Sequence, residues 1–237
     1  MEIERFLSHL ASGTPTPGGG SASALSGALS ASLIAMVAGL SYKKGQAESR
    51  EMRRIKRQAL MIQKKLYRAI EEDARSFDAV MAAFRLPRDG EKQRLRRSRM
   101  IQKAYQKATL TPQKVCDLSL QLLKSSKFLL KNGNQNAFSD TGVAAYLASA
   151  ALKGGMLNIR INLGSIRDNV FRIEKEGCMR RLKLGQSHLM EEIQKEIEGK
   201  EFDICEHCWQ PLEEKLSGKG RVRETLEELE EYEELVF

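Results

Sequence analysis

One carboxylate stands out of place in an otherwise apolar pattern. Between Ala47 and Leu86, the residues Met52, Ile55, Ala59, Ile62, Leu66, Ile70, Phe77, Met81 and Phe84 recur at helical spacing, and Asp73 falls on their stripe where an apolar side chain belongs. A carboxylate drawn out of water loses part of its preference for the charged form, the property a proton-shuttling group requires. An Arg or Lys on a neighbouring helix would account for the same residue as an ion-pair partner, so two readings stand, catalytic and structural.

Three further groups of residues have chemistry-bearing types. Residues 13–20 (GTPTPGGG) cannot be helical, because Pro15 and Pro17 restrict the residues before them and three glycines follow. Such a loop, with Gly18, Gly19 and Gly20 leading into a helix capped by Ser21, presents free backbone N–H groups and the positive end of a helix dipole to a carboxylate or phosphate. It lacks the Gly-Lys-Ser/Thr ending of a P-loop and the spacing of a dinucleotide fingerprint, so nothing points to a nucleotide, and a plain connection explains it equally. Asn158 and Asn162 lie four apart on one helix face, while Asn134, Ser139 and Asp140 cluster at a loop and the helix start that follows it. Together they offer amides, a hydroxyl and a carboxylate to a polar heterocycle, or ordinary caps and interhelical hydrogen bonds. Cys205, His207 and Cys208 supply half of a zinc site. No second CxxC completes it, and only Cys178 and His188 remain at a distance, so two tails of a dimer would have to share the metal.

The elements that position these residues read as helices throughout. Leu25, Leu29, Leu33, Met36 and Leu40 mark the core stripe of a central helix rich in Ala, Ser and Gly, and the long helix that follows stops at Pro87. Residues 91–110 and 113–130 are expected as two helices divided near Pro112, with a loop at Asn132-Gly133-Asn134. Ser139 then opens a short helix ending near Gly154-Gly155, Ile159, Leu163, Ile166, Val170 and Ile173 mark the core stripe of the next, and 178–200 continue as an amphipathic helix. This is an all-α bundle over residues 1–200, with 201–237 as an acidic C-terminal extension carrying the Cys/His cluster.

Composition limits the partners. Of 237 residues 41% are hydrophobic, which is enough for a substantial core. The net charge of +8 conceals a segregation: residues 191–237 hold 16 acidic and 6 basic side chains, so that segment is −10 and the rest +18. A basic body attracts anions of any kind. Nucleic acid is disfavoured, because aromatics are 6% of the chain and fall mostly on apolar stripes. The apolar run Ala24–Leu40 is interrupted by Ser26, Ser30 and Ser32 and follows Glu2 and Glu4 rather than a basic leader, which suits a buried helix and not a membrane span. Four scattered cysteines suit a reducing, cytoplasmic setting.

Four segments, PTPGGGSASALSGALSASLIAMVAGL, EEDARSFDAVMAAFRLP, GNQNAFSDTGVAAYLASAALKGG and NIRINLGSIRDNVF, resemble in order and spacing the cyclodeaminase domain of the formiminotransferase-cyclodeaminase family and its free-standing cyclohydrolase relatives. The resemblance covers roughly residues 1–190. It implies a dimeric, mainly antiparallel helical bundle acting on a tetrahydrofolate derivative, polyglutamylated or not, with no required metal or redox cofactor. It implies either ammonia release from formiminotetrahydrofolate to give methenyltetrahydrofolate, or methenyltetrahydrofolate cyclohydrolase activity. The family's proton-transferring carboxyl matches Asp73, and Gly18 to Ser21, Lys43, Asn134, Ser139, Asp140, Asn158 and Asn162 are the expected substrate-binding set. A non-catalytic folate-binding or interaction module is the alternative of a different class. The chain departs from the pattern in having no transferase domain attached and in carrying the acidic extension.

Overall fold

The computed structural model describes residues 2–42 and 48–200. Among these residues six helices run in the order α1 (Ile3–Leu10), α2 (Gly19–Leu40), α3 (Glu48–Phe84), α4 (Glu91–Asn132), α5 (Phe138–Leu163) and α6 (Asn169–Glu198), with a 3-10 turn at Gln135–Ala137. Lys43 and the extension 201–237, including Cys205, His207 and Cys208, lie outside the described residues.

Side-chain ties fix the register. The α2–α5 pair is antiparallel, since Ser30 Oγ donates to the Ala144 carbonyl and Ser26 Oγ to that of Leu147 (2.7 and 2.9 Å). Gln63 reaches Ser32 and Ser21 reaches Ile70, so α2 and α3 are also antiparallel. Glu72–Lys114 and the Phe84–Tyr105 ring contact set α3 against α4 in the same sense. Helix α6 runs parallel to α4, from Gln106–Asp168 through Gln113–Cys178 to Lys127–Glu192.

The core of α2 is the reverse of the leucine stripe expected. Its buried face is Gly20, Ser21, Ser23, Ala24, Gly27, Ala28, Ser30, Ala31, Ile34, Ala35, Val37 and Ala38, whereas Leu29, Met36 and Leu40 are exposed and Leu25 and Leu33 only half-buried. The reason is steric: three neighbouring helices can close on α2 only where its side chains are small. Although α2 is long and apolar enough to cross a bilayer, its small-residue face is covered by α3, α4 and α5.

The same constraint revises α5. It does not end at Gly154-Gly155 but continues to Leu163, because those glycines are contact points. A Cβ at Gly154 would collide with Ser23 Oγ, and one at Gly155 would stand 2.6 Å from Cys116 Sγ and 3.0 Å from the Pro112 carbonyl oxygen. Ser139 is not a cap, since α5 begins at Phe138 with Ala137 as its uncapped flank, and Ser21 is not one either, since α2 begins at Gly19. The stripe from Ile159 to Ile173 also divides. Ile159, Leu163 and Ile166 are buried, while Val170 and Ile173 of α6 face outward beyond the break that follows Leu163.

Pro112 does not divide α4, which runs unbroken from Glu91 to Asn132. Proline has no N–H for the carbonyl four residues earlier, that of Ala108. The Asn162 side-chain amide supplies the missing donor at 3.2 Å. In α3 the stripe shifts after Asp73: Val80 and Ala83 are buried, and Phe77, Met81 and Phe84 are each more than a third exposed.

Gly155→Ala is expected to lose about 1–3 kcal/mol of stability, the usual cost of overpacking where a backbone oxygen cannot yield. Urea midpoints read the loss, and an unchanged midpoint would contradict the contact.

Candidate active site

Asp73 lies in the eighth turn of α3, facing the first turn of α2. Gly18 flanks that helix start and has no side chain with which to cap it. The carboxyl of Asp73 takes that place from another helix: Ser21 Oγ donates to Asp73 Oδ2 at 3.1 Å, and the Ser21 backbone N–H also bonds to the carboxyl. Gly20 makes the approach possible, because any Cβ there would overlap the Asp73 carboxyl group. Two adjacent positions of the glycine loop thus have distinct duties, one leaving space and the next supplying donors.

No described Arg or Lys forms an ion pair with Asp73. Desolvation pushes its pKa above the ordinary carboxylate range, and the two bonds from Ser21 only partly oppose that shift. The structural ion-pair reading therefore has no partner among the described residues. The nearest organised pair is one residue away, where Lys114 Nζ meets Glu72 Oε2 at 2.9 Å on the α4 side. Ser21 Oγ also lies 2.9 Å from the Ile70 carbonyl oxygen, so its single proton is shared between two acceptors. Ionised Asp73 draws that proton; protonated Asp73 can donate to Ser21 Oγ while the hydroxyl turns to Ile70. The site can thus hold either charge state without leaving a hydroxyl unpaired.

The sequence-derived set divides in two. Gly18, Gly19, Gly20, Ser21 and Asp73 assemble at the entrance of α2, and Asn158 joins them, its Nδ2 standing 3.8 Å from where a Cβ at Gly19 would be. Asn158 Nδ2 donates to the Gly154 carbonyl of its own helix at 2.9 Å, and Asn162 is engaged by Ala108 as described. Asn134, Ser139 and Asp140 belong to the opposite end of α2: the Asn134 backbone N–H donates to Ser41 Oγ at 2.7 Å, and Asn134 Oδ1 accepts from the Asn136 N–H. A 22-residue helix places these two ends about 33 Å apart within one chain. Among the described residues no cluster of three or more His, Cys, Asp or Glu side chains could hold a metal ion.

Two hollows flank the Asp73 turn. One, of 490 Å³, is bounded by Arg5, Phe6 and His9 of α1 with Pro17, Ile70 and Ala74; the other, of 330 Å³, by Glu72, Ser76, Lys107, Ala108 and Thr111. Helix α1 is absent from the sequence reading because its eight residues give too short a pattern to register. Phe6, its one buried side chain, was the available signal. A further hollow, of 780 Å³, lies between α5 and α6 on the flank of α5 opposite Asn158.

The structure is thus a helical bundle in which a desolvated carboxyl meets a glycine-rich helix start. The formiminotransferase-cyclodeaminase family model matches residues 2–180. A methenyltetrahydrofolate cyclohydrolase of Methylorubrum extorquens is 35% identical over 175 residues, covering 73% of this chain and 84% of its own. The formimidoyltransferase-cyclodeaminase of Rattus norvegicus is 30% identical over 172 residues, covering 72% of this chain but only 32% of that longer protein. The crystal structure of formiminotetrahydrofolate cyclodeaminase from Thermotoga maritima superposes with a TM-score of 0.76 at 28% identity, covering 84% of this chain and 96% of that one. The chain belongs to the formiminotransferase-cyclodeaminase and methenyltetrahydrofolate cyclohydrolase family, a family of folate one-carbon enzymes.

The raised pKa of Asp73 has a stability signature. In the unfolded chain the carboxyl releases its proton near the ordinary value, about 4, while the folded protein retains it to higher pH. Between the two values the folded state binds more protons, so this group's contribution lowers stability as pH rises through that window and levels above it. Asp73→Asn removes the effect. The stability of the variant relative to wild type should therefore rise from acid to neutral pH, read from urea midpoints; a difference independent of pH would contradict the desolvation.

Proposed function

We propose that this chain converts formiminotetrahydrofolate to methenyltetrahydrofolate and ammonia, with Asp73 as the proton-transferring group. The observation that carries the reading is the half-buried Asp73 carboxyl, held against the N-terminal turn of α2 without a cation among the described residues. In this reading N10 of the folate attacks the formimino carbon and a new C–N bond forms. Asp73 accepts the proton that N10 loses and returns one to the departing nitrogen, so that the C–N bond to ammonia breaks and the carboxylate is restored. Free N–H groups at the start of α2 offset charge that develops nearby. The likeness to the Thermotoga maritima protein over 96% of its length supports a formimino substrate.

Cyclohydrolase action is the second reading, favoured by the Methylorubrum extorquens relative, of which 84% is covered. There Asp73 would take a proton from the water that attacks the methenyl carbon and deliver it to the nitrogen released on ring opening. Offering each compound to the purified protein separates the two. Methenyl absorbance rising with equal ammonia supports the first, and hydrolysis of methenyltetrahydrofolate alone supports the second. Tight folate binding without turnover of either leaves a binding module. Asp73→Asn is expected to fold and bind folate while lowering turnover by about 100- to 10,000-fold, the usual contribution of a positioned acid–base group. Wild-type turnover in that variant would remove Asp73 from the chemistry.

We also propose a homodimer, in which a second copy packs antiparallel on the exposed apolar face of α2 and α5. Leu29, Met36 and Leu40 of α2 and Val143, Leu157 and Ile161 of α5 are all exposed, Ile161 to 73%. An isologous, antiparallel contact would bring the Asn134–Ser139–Asp140 end of each copy towards the Asp73 end of the other, reuniting the two halves of the expected substrate set. Leu29→Glu should yield monomers by light scattering and, with them, loss of turnover. A monomeric variant with full activity would refute the shared arrangement.

A further inference from the structure

Helices α5 and α6 run antiparallel, tied to each other at one end only. There Gln186 Nε2 donates to Ser149 Oγ and Tyr146 Oη to Gln194 Oε1, both at 2.9 Å. The first half of α6 is held by α4 instead, through Gln106–Asp168 and Gln113–Cys178, and between it and α5 lies a hollow of 780 Å³. Stepping along the two helices from the Ser149–Gln186 bond sets the walls opposite each other: Lys153 with Lys183, then Met156 with Met179, then Arg160 with Glu176.

The cleft is therefore graded in chemistry along its length. At the inner end two lysines face each other with Arg180 beside them, and none of the three is ion-paired to a described carboxylate. The one acid among the lining residues, Glu176, stands further out and lies 3.9 Å from Arg172. The middle is apolar: Met156 and Met179 rest on the core, and Leu163 beyond them is buried. Unbranched methionine side chains adapt their shape to what lies on them. From Lys153 to Leu163 the helix advances about 15 Å, close to one leaflet of a bilayer's hydrocarbon core and so to the reach of one long acyl chain. A second copy of the chain would bring more positive charge to these cations, since residues 1–190 carry a net +18. None of the lining residues belongs to α2 or α3, so the cleft is separate from the Asp73 turn.

We propose that this cleft is a binding site for a long-chain carboxylate. Its head group lies between Lys153 and Lys183, within reach of Arg180, and its chain runs over Met156 and Met179 towards Leu163. The cations replace the water of the carboxylate with charge-assisted hydrogen bonds, and each methylene fully covered by the apolar floor raises affinity by roughly fourfold. Charge selects the head and length selects the chain.

Calorimetry of the full chain with myristate should show saturable binding. Octanoate should bind at least about tenfold more weakly, because its chain covers less of the floor. Tetradecyltrimethylammonium, with a long chain and the opposite charge, should not bind. Lys153→Glu, Lys183→Glu should weaken myristate at least about tenfold, as expected when two charge-assisted contacts become repulsive. Arg96→Glu, Arg99→Glu makes the same change in net charge at exposed positions of α4 and should leave affinity within about twofold, the distant charges being screened. If circular dichroism shows the lysine-to-glutamate variant unfolded, Lys153→Gln, Lys183→Gln carries the same comparison. In protein labelled at the methionine methyls, the signals of Met156 and Met179, assigned through Met156→Leu and Met179→Leu, should move on titration while that of Met81 on α3 stays in place. Absence of myristate binding, equal binding of the cation, equal loss in both charge variants, or unmoved Met156 and Met179 signals overturns the proposal. So does displacement of myristate by tetrahydrofolate, which would make the cleft part of the substrate's surface. Sedimentation of the protein with phosphatidylglycerol vesicles, lost in the lysine variant, would assign the cleft to a membrane and overturn it equally.

Discussion

The approach of Asp73 to the first turn of α2 is the contact around which the site is organised, and it depends on a side chain that is missing. With hydrogen at position 20, a carboxyl from another helix can reach the backbone donors of α2 closely enough to act as its cap. Donors favour the charged carboxyl and desolvation favours the neutral one. Desolvation wins, because Ser21 supplies two hydrogen bonds and no cation among the described residues joins them. A lysine or arginine in the same shell would have stabilised the carboxylate and held its pKa down.

The same economy of volume governs the rest of the bundle. Serines and alanines on α2, with Gly27, Gly154 and Gly155, let backbones approach, and serine hydroxyls tie one helix to the carbonyls of the next. Because the small residues face inward, the larger apolar residues of α2 are left outside. The core is consequently rich in alanine, and burial of Cys116 pushes its thiol up to about 12, so that it packs as an inert group.

Much of this was legible in the sequence. The helical class, the long α3, the loop into α2 and the anomaly of Asp73 all follow from spacing, since each is local. The burial pattern of α2 and the continuity of α4 and α5 were not legible. Periodicity locates a stripe by residue size, but which stripe is buried depends on what packs against it, and Leu29 and Met36 lost that place to Ala28 and Ala31. Glycine and proline were read as breakers, yet Gly155 serves a contact and Pro112 has its lost bond replaced from 50 residues away in sequence. Of the candidate set, Gly18 to Ser21, Asp73 and Asn158 lie together, while Asn134, Ser139 and Asp140 share their polarity but not their location in the single chain.

The bond from Asn162 to the Ala108 carbonyl has a further consequence. It exists because Pro112 removes a donor, so positions 112 and 162 answer a single requirement from two helices. A chain with an ordinary residue at 112 would supply its own N–H to Ala108 and release the amide at 162 from that duty; a chain that keeps the proline must keep a donor opposite. Across relatives the two positions should therefore be inherited as a pair, a covariation arising from one hydrogen bond in the backbone of α4.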